Sequence, residues 1–204
     1  NRKLKTTTLM LLSGIISFLC FTSSWAISAD EEAWVVLERN RPQEALDRCV
    51  NNDDFLCSWI VAVAELRTET EPSADDPVSR AARAFERGEF EESSSILEPM
   101  LEELNPSSDP LQLRLHLGAT LVELGRIPEA VEMLTMAVEQ ARIEGRHASL
   151  CYGLLTRGRA LVRLRQVEPP QEDLLAALDL CRRLETHRWA GVAAIALSVV
   201  SRLQ

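Results

Sequence analysis

The residues of this 204-residue chain best suited to chemistry are four cysteines and two histidines: Cys49, Cys57, Cys151 and Cys181, with His147 four before Cys151 and His187 six after Cys181. Three outcomes fit them. Disulfides are the preferred one, because an even number of cysteines in an exported chain favours pairing. The sharper alternative gathers His147, Cys151, Cys181 and His187 into a tetrahedral set of the kind zinc accepts. Neither spacing is a recognised finger spacing, and His147 and His187 are 40 apart, which is also the repeat offset found below. The third outcome is unpaired thiols. His116 stands alone on a helix and reads as a surface or groove residue.

Other chemistry is poorly supplied. The serines fall in a loop (Ser107-Ser108) or on a helix face (Ser93-Ser94-Ser95), with no nucleophile-elbow motif. Carboxylate pairs such as Glu91-Glu92 and Glu102-Glu103 are in helical stretches and read as solvated faces. Both lysines of the chain, Lys3 and Lys5, lie in the first 26 residues, so the remainder has no lysine for a Schiff base or a phosphate loop. The sequence predicts no enzyme and no cofactor.

The N-terminus explains the compartment. Arg2, Lys3 and Lys5 precede an apolar run from Leu9 to Phe21, and a small-residue site follows at Ser24-Trp25-Ala26. This is the three-part pattern of a secretory signal, and the run is short for a membrane span of about 20 residues. An anchor kept through Ala29 is the alternative; Cys20 sits too deep in the run to be a lipoprotein cysteine. The expected location is exported, periplasmic or secreted, with no membrane span in the mature chain. Removing residues 1–26 takes away three basic and no acidic residues, so 22 − 3 = 19 basic side chains face 31 acidic ones, a net of −12. That excess of acid argues against nucleic acid, which is bound through basic contacts to phosphate.

The elements that must position these residues are helices, clearest in residues 111–144. Leu113, Leu117, Leu121 and Leu124 recur at helical spacing, with Gly118 on the same side. A glycine within a helix costs about 1 kcal/mol relative to alanine, and close approach of a neighbouring helix is the expected reason for it. Gly125 ends this helix in a left-handed conformation. Pro128 and Glu129 suit the first turn of the next, which carries Ala130, Val131, Leu134, Ala137, Val138 and Ala141.

This segment resembles the tetratricopeptide repeat: Leu117-Gly118, Leu121, Gly125, Glu129-Ala130, Leu134 and Ala137 match its pattern in order, with Arg114 where the family often has Trp. The unit recurs at an offset of 40 without gaps, taking Gly118 to Gly158, Leu121 to Leu161, Leu134 to Leu174 and Ala137 to Ala177. Pro169-Pro170 replaces Glu129-Ala130, so the later second helix is expected to begin late. Residues 77–104 form an earlier unit, with Gly88 at the turn and Pro99 expected to kink or shift its second helix.

The expected division is a signal over 1–26, a degenerate helix pair plus a helix over 27–70, a linker over 71–76, and repeats over 77–204 (77–104, 111–144, 147–184 and a partial 187–204). The fold class is all-α, a right-handed α-solenoid of antiparallel helix hairpins with about three to four repeats. On that arrangement Cys49 ends one helix where Cys57 begins the next, and Cys151 opens a helix whose antiparallel partner Cys181 closes. Of the three connectivities open to four cysteines, Cys49 with Cys57 and Cys151 with Cys181 is therefore preferred. The second pair would close a loop of about 30 residues, worth about 3 kcal/mol on the chain-entropy model.

In the tetratricopeptide family the first helices line a concave groove that binds peptides or partner proteins. The resemblance places in that groove Ala82, Phe85 and Glu86, then Gln112, Leu115, Ala119, Val122 and Glu123, then Tyr152, Leu155, Arg159, Val162 and Arg163. It implies a non-catalytic scaffold in the cell envelope or secreted space. The alternative is the sensory or interaction region of a longer signalling protein or enzyme. A third and minor reading makes it a metal-binding or redox protein. Residues 189–203 are apolar nearly all round; they are expected to be covered by following chain or by a second copy, and with Asn1 at the start they point to a longer protein.

Overall fold

A computed structural model describes residues 27–50, 52, 54–104 and 109–204; the signal segment lies outside them. Among the described residues every regular element is a helix. In chain order they are α1 (Ala29–Glu38), α2 (Pro42–Arg48), α3 (Phe55–Thr68), α4 (Pro77–Arg87), α5 (Phe90–Glu102), α6 (Leu111–Glu123), α7 (Ile127–Glu144), α8 (His147–Arg163), α9 (Glu168–Arg183) and α10 (His187–Leu203).

Local chemistry sets the boundaries. The Asp54 side chain accepts a hydrogen bond from the Cys57 backbone N–H at 2.7 Å, and Asp76 accepts one from Ser79 N–H at 3.0 Å, so both helices start on a carboxylate cap. Gly125 holds φ +81° just past α6, and the Arg126 N–H returns to the Leu121 carbonyl at 2.9 Å, closing the helix end as expected. The late start expected of the helix that carries Pro169-Pro170 is found, by one residue. α9 begins at Glu168, one residue past the position equivalent to Ile127, because Pro169 and Pro170 both fit the first turn, where no intrahelical N–H is needed. α5 runs through Pro99 and stops at Glu102, within one turn.

Successive helices pack on their sequence neighbours, and α6, α8 and α10 also touch in turn. The two tightest crossings repeat. A Cβ built on Gly118 would sit 2.7 Å from Leu134 Cγ, and one on Gly158 would sit 2.7 Å from Leu174 Cγ. Glycine at these positions lets α7 close on α6, and α9 on α8. Gly118→Ala gains about 1 kcal/mol of helix propensity but forces the fully buried Leu134 to move, which costs about 1–3 kcal/mol. A net loss of about 1 kcal/mol and a fall of about 2–4 °C in thermal midpoint are expected. A variant that melts higher than wild type would show that Leu134 yields freely.

The cysteines fall into two pairs at disulfide distance: Cys49 with Cys57, Cα atoms 5.3 Å apart, and Cys151 with Cys181, 6.0 Å apart. The first ties the end of α2 to the first turn of α3; the second ties α8 to α9. The second pairing uses both sulfurs of the alternative zinc set, and among the described residues no three His, Cys, Asp or Glu side chains gather to hold a metal.

α1 departs from the sequence reading. It does not simply precede the array as one arm of a first helix pair. It packs on α3 and also on α8 and α10, more than a hundred residues away. Ala33, Trp34, Val35, Val36 and Leu37 are all buried, so the C-terminal half of the helix is enclosed, while Glu32 before it stays exposed. Polar contacts fix its ends. Glu31 is buried and accepts hydrogen bonds from the backbone N–H (2.9 Å) and the hydroxyl of Ser149. Arg39 donates to the Leu184 carbonyl at 2.8 Å.

α10 buries one face, through Trp189, Ala193, Ala196 and Val200. Its other face shows Gly191, Ala194, Ser198 and the exposed Ile195, so the apolar run is covered on one side only. Among the described residues no helix is long and apolar enough to cross a membrane.

Candidate functional site

Where α1 meets the face formed by α3, α4, α6, α8 and α10, a cleft of about 270 Å³ remains. Each of those helices supplies a ring. Trp59 of α3 stacks on His116 of α6 with ring centroids 3.9 Å apart, and Phe85 of α4 lies 5.9 Å beyond Trp59. Tyr152 of α8 is 5.7 Å from His116 and 5.5 Å from Trp189 of α10. Trp34 of α1 closes the set, 5.4 Å from His116, 4.9 Å from Tyr152 and 5.0 Å from Trp189. Phe90 continues the wall past Phe85 at 5.5 Å. These separations suit offset and edge-to-face contact between aromatic rings.

His116 is buried, and burial pushes its imidazole down to about 3, so at neutral pH it carries no charge. Its Nε2 has no hydrogen-bond partner among the described residues. Tyr152 is the other titratable ring. Burial raises its phenol, and the charges of Arg159, Glu38, Glu86 and Arg188 are close enough to act on it.

The charged rim is partly neutralised. Glu123 receives Arg159 and Arg163 at 2.8 Å each. Burial disfavours its charge, but the hydrogen bond from Arg163 and the two guanidinium charges outweigh this and hold the carboxyl below the usual carboxylate range. Glu38 is nearly buried and takes Arg67 at 3.1 Å and Arg188 at 3.4 Å. Glu86 is exposed, lines the cleft, and has no ion-pair or hydrogen-bond partner among the described residues.

The residues expected in the groove divide. Phe85, Glu86, Glu123, Tyr152, Leu155 and Arg159 line the cleft. Arg163 stands beside it, bound to Glu123 and donating to the Val122 carbonyl. Gln112, Leu115 and Val122 do not: all three are buried. Gln112 donates from Nε2 to the Ser149 hydroxyl at 2.8 Å, and Ser149 in turn donates to Glu31, so this part of the face is sealed against α1. Ala119 is buried as well, while Ala82 and Val162 pack in or against the core.

Sequence reasoning missed Trp34, Trp59 and Trp189 as members of one site, and read His116 as a surface or groove residue, of which the cleft lining fits the second. The available signal was α6 itself. Its Leu111, Leu113, Leu115, Leu117 and Leu121, with Ala119 and Val122, are spread around the helix rather than set on one stripe, so it must be covered on its groove side too. From Leu111 to Val122 only Arg114 escapes full burial.

The hydroxyls of the cleft belong to Tyr152 and Thr156, and Thr156 spends its own on the Tyr152 carbonyl at 2.8 Å. No family model, curated protein or solved structure matches this chain.

Proposed function

We propose that this protein is a non-catalytic, exported helical-repeat scaffold that binds a segment of another protein in the aromatic cleft, using no cofactor. One observation carries the reading: an aromatic-walled cleft of about 270 Å³ stays open on a face otherwise sealed by α1. Apolar concave sites with a few placed polar groups are the usual form of a binding pocket. The tetratricopeptide resemblance and the recurrence of the Gly118–Leu134 crossing at Gly158 and Leu174 support a stacked-repeat architecture. The two cysteine pairs and the N-terminal signal pattern support an oxidising compartment outside the cytosol. An extended segment that places side chains in the cleft is the occupant that fits a groove of this kind.

Val192 provides the test, since it is half-buried on α10 and lines the cleft without belonging to the ring contacts. Peptides selected from a display library on the wild type are expected to bind Val192→Glu at least about tenfold more weakly, the effect of about 1.4 kcal/mol. Circular dichroism and the thermal midpoint should stay close to wild type. Selected peptides that bind both proteins equally well would place recognition elsewhere.

A further inference from the structure

We infer that the cleft is built to take the side chain of an arginine from an extended partner segment. The inference rests on the proposed peptide-binding reading and names the chemistry of what is bound.

Three observations converge. The walls are aromatic, with three tryptophans among them, Trp34, Trp59 and Trp189. Tryptophan is the ring most attractive to a cation, and a planar guanidinium also stacks on it. Of the carboxylates around the cleft, Glu38 is held by Arg67 and Arg188 and Glu123 by Arg159 and Arg163, while Glu86 has no guanidinium on it among the described residues. Arg159 and Arg188 are each held by a carboxylate, at 2.8 and 3.4 Å, and each of those carboxylates is shared with a second arginine. The carboxylate left over is Glu86, which has no partner among the described residues and acts electrostatically on Tyr152. Finally, His116 lines the cleft with Nε2 buried and unpartnered. A buried polar atom without a partner is costly, and an N–H from a bound guanidinium would satisfy it when the imidazole presents that nitrogen as acceptor. An apolar occupant would leave both Nε2 and Glu86 as they are. An acidic occupant would add a second uncompensated charge beside Glu86.

The test uses the disulfide-bonded protein and capped heptapeptides of alanine and serine that differ at the central position: arginine, its neutral isostere citrulline, lysine, or leucine. Binding is read by tryptophan fluorescence and by the His116 ring resonances. The arginine peptide is expected to saturate both signals and to bind at least about tenfold more tightly than the citrulline peptide, the scale of a desolvated cation–π contact. Glu86→Gln is expected to weaken the arginine peptide about fivefold or more and leave the leucine and citrulline peptides unchanged. Equal binding of arginine and citrulline peptides, or an arginine preference that survives Glu86→Gln intact, would overturn the inference while leaving the cleft a peptide site. A lysine peptide as tight as the arginine one would overturn the guanidinium assignment. Silence from all four peptides would overturn both this inference and the peptide-binding reading.

Discussion

Lowering the pH from about 6.5 to about 5 is expected to remove about 2 kcal/mol of stability from the wild-type protein and very little from His116→Phe. The folded protein keeps His116 neutral down to about 3 because burial disfavours the imidazolium. In the unfolded chain the same ring takes up a proton near its ordinary value of about 6.5. The unfolded state therefore binds more protons throughout the interval, and stability falls as pH falls, by about 1.4 kcal/mol per pH unit once well below 6.5. Unfolded carboxylates titrate near 4, below this window, so their contribution is small there. Phenylalanine keeps an aromatic ring against Trp59, now 3.9 Å from the imidazole centroid, and removes the unpartnered Nε2. Urea unfolding of both proteins at several pH values across the interval measures the effect. Parallel pH dependence in the two proteins would show that the loss comes from another group.

The same residue marks where sequence was legible and where it was not. The register of α6 through α9 could be read because it is local. Gly118 and Leu134 lie one hairpin apart and recur 40 residues later as Gly158 and Leu174, so a crossing that only glycine permits leaves its mark at fixed spacing. The cysteine pairs were legible for the same reason: each bridges helices adjacent in sequence. The cleft was legible only as far as α4, α6 and α8 determine it. The part that α1 determines depends on contacts such as Glu31 with Ser149, 118 residues apart, for which no periodic pattern exists. A five-residue buried run in a ten-residue helix reads as a short amphipathic arm until its partners are known. For this reason His116 read as a surface or groove residue, and Gln112, Leu115 and Val122 read as open groove positions.

Trp34→Ala is expected to be the most damaging single substitution considered, at about 3–5 kcal/mol, the range for removing a large aromatic from a packed core. Trp34 is 3% exposed and its ring meets His116, Tyr152 and Trp189 on three different helices. The pairs contribute about 0.5–1.5 kcal/mol each beyond area burial, so the loss reaches well past α1. What remains to hold α1 is the packing of Ala33, Val35, Val36 and Leu37 and the polar contacts at its ends: Glu31 on Ser149, and Glu38 and Arg39 on Arg188 and Leu184. Two measurements separate this arrangement from one in which α1 and α2 form only the first repeat of a stack. Urea unfolding gives the size of the loss. Amide hydrogen exchange gives its location, since an end repeat would deprotect α1 to α3 alone, whereas a helix packed on α8 and α10 must also deprotect those two. A loss under about 1 kcal/mol, or exchange confined to the N-terminal helices, would remove α1 from the cleft. If the wider effect is found, the tryptophan that stabilises the chain is then also one wall of the cleft proposed to bind a partner. Variants that loosen α1 should then lose stability and ligand together, while Glu86→Gln, on the open rim, should lose ligand alone.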